Sequence, residues 1–243
     1  QEIEEERMQR VKLAEELKLG QKIQENLLPK KFPTLLDFEI SAGFISAQEV
    51  GGDFYDIFPL STKTLIAVAD VAGKGISACL FSLGLRSSLR ALAANLDSLS
   101  EIVQQANQLF LSDAEESSHF ATLWIGVLEK RRLSFVNLGH PPALLKRGFS
   151  LQELTTDYAA LGSMRYESIQ AQSINLEEGD ELLLFSDGAT DAMDSEGQRY
   201  GIDRLKESFL KQGGAEEILH RTQLFSQSPV PHDDMTILHL RMI

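Results

Sequence analysis

The hydrophobic residues of the chain follow two different spacings along the sequence. Helical spacing of apolar residues predicts helices over residues 76–94, 99–111, 203–211 and 215–223. Alternation, or a short apolar run, predicts strands over residues 38–46, 120–128, 133–138, 180–188 and 235–243. Residues 65–69 are apolar and partly β-branched, which is typical of a strand buried on both faces. The pattern therefore predicts a mixed α and β domain.

The first 28 residues differ from the rest because they are rich in Glu, Lys, Gln and Leu. They contain no proline and a single glycine, Gly20, so we expect one long helix. Its apolar residues fit a heptad imperfectly, which leaves two interpretations open: a solvated helix packed on the domain, or a signalling coiled coil. Pro29 and Pro33 end it, so the sequence divides into a regulatory or linker helix, 1–28, and one domain, 29–243.

Composition narrows the class of protein. The formal net charge is −13, which argues against binding to nucleic acid, since acidic residues outnumber the basic residues that would bind its phosphate backbone. The single cysteine, Cys79, cannot form an internal disulfide, as expected in a reducing compartment. No apolar run approaches the roughly 18 residues of a membrane helix. We expect a cytoplasmic segment of a longer protein, with any membrane anchor or sensor domain upstream.

Aspartates recur at the ends of the most apolar strands. Asp70 ends the run at 65–69, Asp187 ends the run at 180–188, and Asp233 and Asp234 precede the last strand. Asp53 follows a Gly-Gly pair that predicts a bend or bulge. Any one of them has an ordinary explanation, because aspartate is common in turns and helix caps. Their recurrence indicates one shared site.

Carboxylates that converge in one site repel each other, and the usual relief is a hard divalent cation with oxygen ligands. The scarcity of cysteine and the scattered histidines favour Mg²⁺ or Mn²⁺ over Zn²⁺. His140, beside two prolines, is either a ligand or, more commonly for such a residue, a loop histidine held by backbone hydrogen bonds. Two ions a few ångströms apart would activate a water molecule and neutralise a phosphoryl oxygen.

Six motifs in a fixed order resemble a known family over residues 20–243. They read EVGGDFYD, VADVAGKG, FATL, NLGHPPALL, LFSDGATDA and HDDMT. This set is similar to the SpoIIE-type and RsbU-type phosphatase domains, a bacterial branch of the PPM (type 2C) metal-dependent serine/threonine phosphatases. The resemblance implies an α/β (α+β) fold, a four-layer α-β-β-α sandwich with two central antiparallel sheets, preceded here by the N-terminal helix.

The resemblance also implies a site with two divalent ions, Mn²⁺ or Mg²⁺. By motif match, Asp70 bridges both ions and the Val71 carbonyl assists, while Asp53, Asp187 and Asp233 complete the ligands; Asp234 is the alternative at the last station. A metal-activated water then attacks phosphoserine or phosphothreonine without a covalent enzyme intermediate. The motifs assign no proton donor for the leaving group, and water on the metal is the expectation.

The substrate that the resemblance implies is a phosphorylated STAS-type anti-sigma factor antagonist in a partner-switching pathway. It also implies an upstream sensor domain and a possible homodimer through the N-terminal helix. Two other classes stay open. One is a catalytically inactive binding module of the same fold. The other is a small-molecule phosphohydrolase, against which the sequence offers only the absence of a nucleotide-binding GxxxxGK[ST] loop.

Overall fold

Ten strands and six helices form within residues 2–33, 37–211, 213–228 and 230–243, the parts of the chain that this computed structural model describes. The helices are α1 (Glu2–Leu27), α2 (Ile76–Asn95), α3 (Leu99–Asp113), α4 (Asp187–Asp191), α5 (Gly201–Leu210) and α6 (Ala215–Ser226). The strands are β1 (Phe38–Ile45), β2 (Phe54–Pro59), β3 (Thr64–Val71), β4 (Ala121–Glu129), β5 (Arg132–Leu138), β6 (Ala143–Arg147), β7 (Ser150–Leu154), β8 (Gln172–Asn175), β9 (Glu181–Phe185) and β10 (Met235–Met242). Gln1, in the predicted first helix, and residues 34–36, 212 and 229, in the predicted domain, lie outside the described residues.

The strands form two five-stranded sheets. One has the order β1-β10-β9-β6-β7 and the other the order β2-β3-β4-β5-β8. All the pairings within them are antiparallel. The prediction of two antiparallel sheets is confirmed.

The layering of the molecule is visible along β9, whose side chains alternate between two cores. Leu182 and Leu184 point into the large core between the sheets, which α2 and α3 extend on the far side. Leu183 and Phe185 point outward into a second core under α5 and α6. Since both faces of this strand are buried, its residues 182–185 are all apolar rather than alternating with polar ones. The four-layer α-β-β-α sandwich is therefore confirmed.

Helix α2 corrects one expectation. By length and composition it is apolar enough to cross a membrane, although the sequence was expected to hold no such segment. This helix contains small residues and leucines, so its mean hydropathy is high although it has no long run of large apolar side chains. Leu85 and Leu89 are almost fully buried in the core, so packing within the domain explains part of this apolar composition, whereas Ile76 and Leu80 are exposed.

Each helix and strand predicted from the spacing has a counterpart in the structure, but the structure also contains short elements that were not predicted. Strands β7 and β8 lie at the outer edges of their sheets and are mostly exposed. Their polar sequences carry no apolar pattern, so periodicity did not reveal them. The short helix α4 was missed for a different reason, because five residues hold too little sequence for helical spacing to show.

The end of α1 is attached to the loop before β2. Gln24 is 2% exposed, and its Nε2 donates to the Gly51 carbonyl at 2.7 Å while the Gly51 N–H donates to its Oε1 at 3.0 Å. Leu28, just after the helix, is part of the main core. By contrast, Met8 and Val11 in the first half of α1 are exposed. The last turn of α1 thus belongs structurally to the domain, whereas the division at residue 28 stays a prediction.

Candidate metal centre

The aspartates of the sequence analysis lie where the two sheets meet. In one sheet, β2 begins directly after Asp53 and β3 contains Asp70. In the other, Asp187 opens α4 after β9, and Asp234 directly precedes β10. Thr236 Oγ1 donates to Asp53 Oδ2 at 2.7 Å and so ties the sheets together at this point. The site is built from strand ends of both sheets.

Asp53 is the most deeply buried of these carboxylates, with 1% exposure. Burial raises its pKa well above the ordinary value, and the charges of Asp70 and Asp234 raise it further. Hydrogen bonds from the hydroxyl groups of Ser186 and Thr236 lower the pKa of Asp53. A buried carboxylate beside two others carries a large electrostatic cost that two hydroxyl groups only partly offset.

Asp70 connects the carboxylates of the two sheets electrostatically. Burial raises its pKa to about 7, and the charges of Asp187, Asp233 and Asp234 contribute in that order. The pKa of Asp187 is also raised, first by burial and then by the charges of Asp233 and Asp191. The structure therefore brings all five predicted aspartates into one mutually repelling group.

The adjacent Asp233 and Asp234 have different surroundings. Asp234 is buried, and its Oδ1 accepts from the Ala47 N–H at 2.8 Å. Its Oδ2 accepts from the Gly52 N–H at 2.7 Å and, at 3.4 Å, from that of Asp53. Gly51 packs so closely on this carboxylate that a side chain there would collide with it. Asp234 therefore holds the loop that presents Asp53.

Asp233 has an exposed side chain and faces the turn after β3. Lys74 Nζ lies 3.3 Å from its Oδ2 and donates to the His232 carbonyl at 2.6 Å. Both side chains are about half exposed, so the pair is screened by water and contributes little stability. Lys74 is thus occupied by Asp233 and the backbone beside it.

Asp56, three residues after Asp53, has a different role. It is buried and accepts two hydrogen bonds from Arg90 on α2, at 2.5 and 2.7 Å. Arg86 Nε lies 3.2 Å from the same carboxylate. This cluster fixes α2 against β2 and lies outside the group of repelling carboxylates.

The Val71 carbonyl, the one backbone ligand that the resemblance implies, faces the Gly-Gly bend. A Cβ added to Gly52 would stand 2.7 Å from the Val71 oxygen, so only glycine permits this approach. The Val71 N–H also donates to the Gly52 carbonyl at 3.4 Å. The bend predicted before Asp53 therefore allows β3 and the Asp53 loop to lie against each other.

His140 is held in its loop by hydrogen bonds. Its N–H donates to Asn137 Oδ1 and its carbonyl accepts from Asn137 Nδ2, both at 2.8 Å. Its ring Nδ1 lies 2.8 Å from Thr122 Oγ1, and burial lowers its pKa to about 3. The loop interpretation of this histidine fits these contacts, although Thr122 pairs with Asp70 across the sheet.

The chemistry of the donor set fits hard divalent cations. The group offers only oxygen ligands, and burial and mutual repulsion raise the pKa values of Asp53, Asp70 and Asp187. Lys74 offsets the charge of Asp233 only, so the buried carboxylates of this group would be stabilised by a bound cation. Across the described parts of the chain, however, no three His, Cys, Asp or Glu side chains already stand as a metal-binding cluster. The aspartates lie close enough to repel each other without forming a closed cage.

The sequence analysis missed three residues that belong to this site. Asp191 lies one helical turn after Asp187, raises its pKa, and forms an ion pair with Arg199 at 3.0 Å. Ser186 and Thr236 supply the hydroxyl groups that act on Asp53. Serine and threonine near a strand end carry no distinguishing pattern, whereas Asp191 follows Asp187 at helical spacing and was a detectable signal.

The chain is similar in sequence to a known protein family. The profile of the family described as Stage II sporulation protein E (SpoIIE) matches residues 61–243. The chain belongs to the SpoIIE family. This membership confirms the resemblance that the six motifs indicated.

Individual relatives are similar to this SpoIIE-family chain over most of its length. The phosphoserine phosphatase RsbP of Bacillus subtilis (strain 168) is 30% identical over 201 residues, which are 79% of this chain and 48% of RsbP. The chain spans 39% to 70% of the lengths of the curated relatives it matches.

Solved structures show the same fold. The SiaA-PP2C domain of Pseudomonas aeruginosa superposes with a TM-score of 0.85 at 22% identity, covering 96% of this chain and 98% of that domain. The catalytic domain of the serine threonine protein phosphatase PstP, solved in complex with 2 manganese ions, has a TM-score of 0.64 at 19% identity. That match covers 85% of this chain and 99% of PstP.

Proposed function

We propose that this chain is a metal-dependent phosphatase that hydrolyses phosphoserine or phosphothreonine in a partner protein. The observation that carries the proposal is the group of aspartates around Asp70, whose pKa is raised to about 7 by burial and by carboxylates of both sheets. Such a group is relieved by divalent cations with oxygen ligands. Membership of the SpoIIE family, and a relative named as a phosphoserine phosphatase, support the same activity.

The ligands that we propose for two Mn²⁺ or Mg²⁺ ions are the side chains of Asp53, Asp70, Asp187 and Asp233 and the Val71 carbonyl. Asp234 was the alternative in the sequence analysis. Its two oxygens accept backbone N–H groups of residues 47, 52 and 53, so we assign it to positioning the Asp53 loop. Asp233, which faces the turn after β3, is the better ligand.

When bound, the ions neutralise phosphoryl oxygens and lower the pKa of a bound water. The protein's own residues do the positioning. Thr236 fixes the Asp53 carboxylate by its hydrogen bond, and Asp234 fixes the loop from which Asp53 projects. Lys74 offsets the negative charge of Asp233 at the rim of the site and holds it beside the turn after β3.

For the substrate we propose a phosphorylated STAS-domain anti-sigma factor antagonist in a partner-switching pathway. The similarity to RsbP supports this class. We further propose that a sensor domain lies upstream in the full-length protein, that the site faces the cytoplasm, and that α1 connects the sensor to the domain. Exposed apolar residues along α1, such as Met8 and Val11, support a homodimer through this helix. Sedimentation that shows only monomers at high concentration would contradict the dimer.

The experiment that tests the activity measures phosphate release from a phosphoserine STAS protein and from an aryl phosphate. It compares Mn²⁺ with a chelator, and the unchanged chain with Asp70→Asn and with Asp157→Asn, an exposed aspartate, as the matched control. We expect Mn²⁺-dependent release that Asp70→Asn removes and Asp157→Asn preserves. No release from either substrate contradicts catalysis by this chain and favours the binding module. Release from nucleotides but not from the phosphoprotein favours a small-molecule phosphohydrolase.

A further inference from the structure

A histidine lies beside the turn that follows Asp70, although it comes from a different strand. The Ala72 N–H donates to the Phe120 carbonyl at 2.8 Å, which continues the pairing of β3 with β4 beyond the strand ends. His119 is the next residue outward on that side. Its Nε2 stands 3.7 Å from the position that a Cβ on Gly73 would occupy. The imidazole therefore borders the exposed turn three residues after Asp70.

The His119 ring is held in one orientation by α2. It stacks on Phe81, with ring centroids 4.5 Å apart and an interplanar angle of 22°. Its Nδ1 is enclosed, with no hydrogen-bond partner among the described residues. An enclosed polar atom without a hydrogen-bond partner is unfavourable for folding, and a catalytic role is one explanation for such an atom in a native protein. Since Nδ1 is enclosed, Nε2 is the nitrogen that can exchange a proton with a substrate.

Hydrolysis of a phosphoserine ester needs a proton donor, because serine leaves as a strongly basic alkoxide. Lys74, the cation on this turn, is engaged with Asp233 and the His232 carbonyl. His140 is enclosed in its loop, and its Nε2 has no contact with solvent. His119 combines a fixed ring, an available nitrogen and a position at the turn.

We propose that His119 is a catalytic residue that protonates the leaving group through Nε2; this inference rests on the proposed function. The water oxygen forms a bond to phosphorus, and the bond between phosphorus and the serine oxygen breaks. Its electron pair stays on the serine oxygen, which takes the proton from Nε2. The proton lost by the attacking water passes to solvent, and the imidazole regains a proton from solvent.

The test uses leaving groups that differ in their need for a proton. The full chain with Mn²⁺ hydrolyses a phosphoserine peptide and 2,4-dinitrophenyl phosphate, whose phenolate leaves without protonation. For His119→Gln we expect kcat on the peptide to fall about 10²- to 10⁴-fold, while kcat on the dinitrophenyl ester is unchanged. His220→Gln, at an exposed position on α6, is the matched control. His232→Gln tests the exposed neighbour of Asp233 as a rival donor.

Two further measurements separate this role from a structural one. The Kd for Mn²⁺, by titration calorimetry, and the melting temperature should be the same in His119→Gln as in the unchanged chain. An equal loss on both substrates, or a weaker Kd, would show that His119 maintains the site and would overturn the proposal. The proposal would also be overturned if His232→Gln, and not His119→Gln, lost kcat on the peptide while keeping kcat on the dinitrophenyl ester. If the unchanged chain hydrolyses neither ester, the phosphatase function itself fails.

Discussion

Replacing Asp70 by asparagine should stabilise the protein when no divalent cation is present. Asparagine has nearly the shape of a protonated aspartate and carries no charge. In the folded chain the charged form of Asp70 is disfavoured by burial and by the charges of Asp187, Asp233 and Asp234. The substitution removes this repulsion, so a residue proposed as essential for activity should be unfavourable for stability.

The size and pH range of the effect follow from the pKa. In the folded state the pKa of Asp70 rises from 3.8 to about 7, and this shift corresponds to roughly 4 kcal/mol. Between these pH values the folded state retains a proton that the unfolded state has lost. The free energy of unfolding of the unchanged chain therefore decreases as pH rises through this window. Asp70→Asn lacks this titration, so its advantage should be small near pH 4 and reach up to about 4 kcal/mol above pH 7.

Urea denaturation in chelator, at several pH values between 4 and 8, measures the difference. Asp157→Asn is the control for the loss of one surface charge. A free energy of unfolding for Asp70→Asn that is equal to or below that of the unchanged chain at pH 8 would refute the reasoning. So would an unchanged chain whose stability increases steadily across the window.

Further substitutions test other parts of the structure by urea denaturation and, for Asp233→Asn, by turnover. Asp56→Asn leaves Arg86 and Arg90 without their buried partner and should cost about 3–5 kcal/mol; an unchanged midpoint would contradict the ion cluster. Gln24→Ala leaves both backbone groups of Gly51 unpaired and should cost about 2 kcal/mol, whereas the exposed Lys22→Ala should cost almost nothing. Asp234→Asn places an amide donor against backbone N–H groups and should cost about 1–3 kcal/mol of stability. Asp233→Asn should abolish Mn²⁺-dependent turnover without this loss of stability. The reverse result would exchange the roles assigned to Asp233 and Asp234.

The sequence predicted the apolar elements well because a strand buried on both faces has an uninterrupted run of apolar residues. Residues 182–185 of β9 are an uninterrupted apolar run, and the structure buries their side chains in two cores. The edge strands β7 and β8 are polar and contain no such apolar run. The pairing of strands far apart in the chain was not readable either, since it depends on contacts between distant residues.

The aspartates were found because they follow apolar strands, but their roles were not separable by sequence. Asp233 and Asp234 are chemically identical neighbours, and only the structure shows that Asp234 accepts backbone N–H groups. His119 illustrates a second limit. It is separated from the Asp70 turn by the whole of α2 and α3, and only the pairing of β3 with β4 brings it there.

The position of β10 has a consequence for biosynthesis. This strand is the last of the ten described strands of the domain, yet it pairs with both β1 and β9 inside its sheet. Until it has left the ribosome, β1 has no partner in that sheet and Asp53 lacks the hydrogen bond from Thr236. A nascent chain without these residues can pair β2 with β3 and β4, but it cannot join the two halves of the carboxylate group. Phosphatase activity should therefore appear only after the final strand has docked, late in folding.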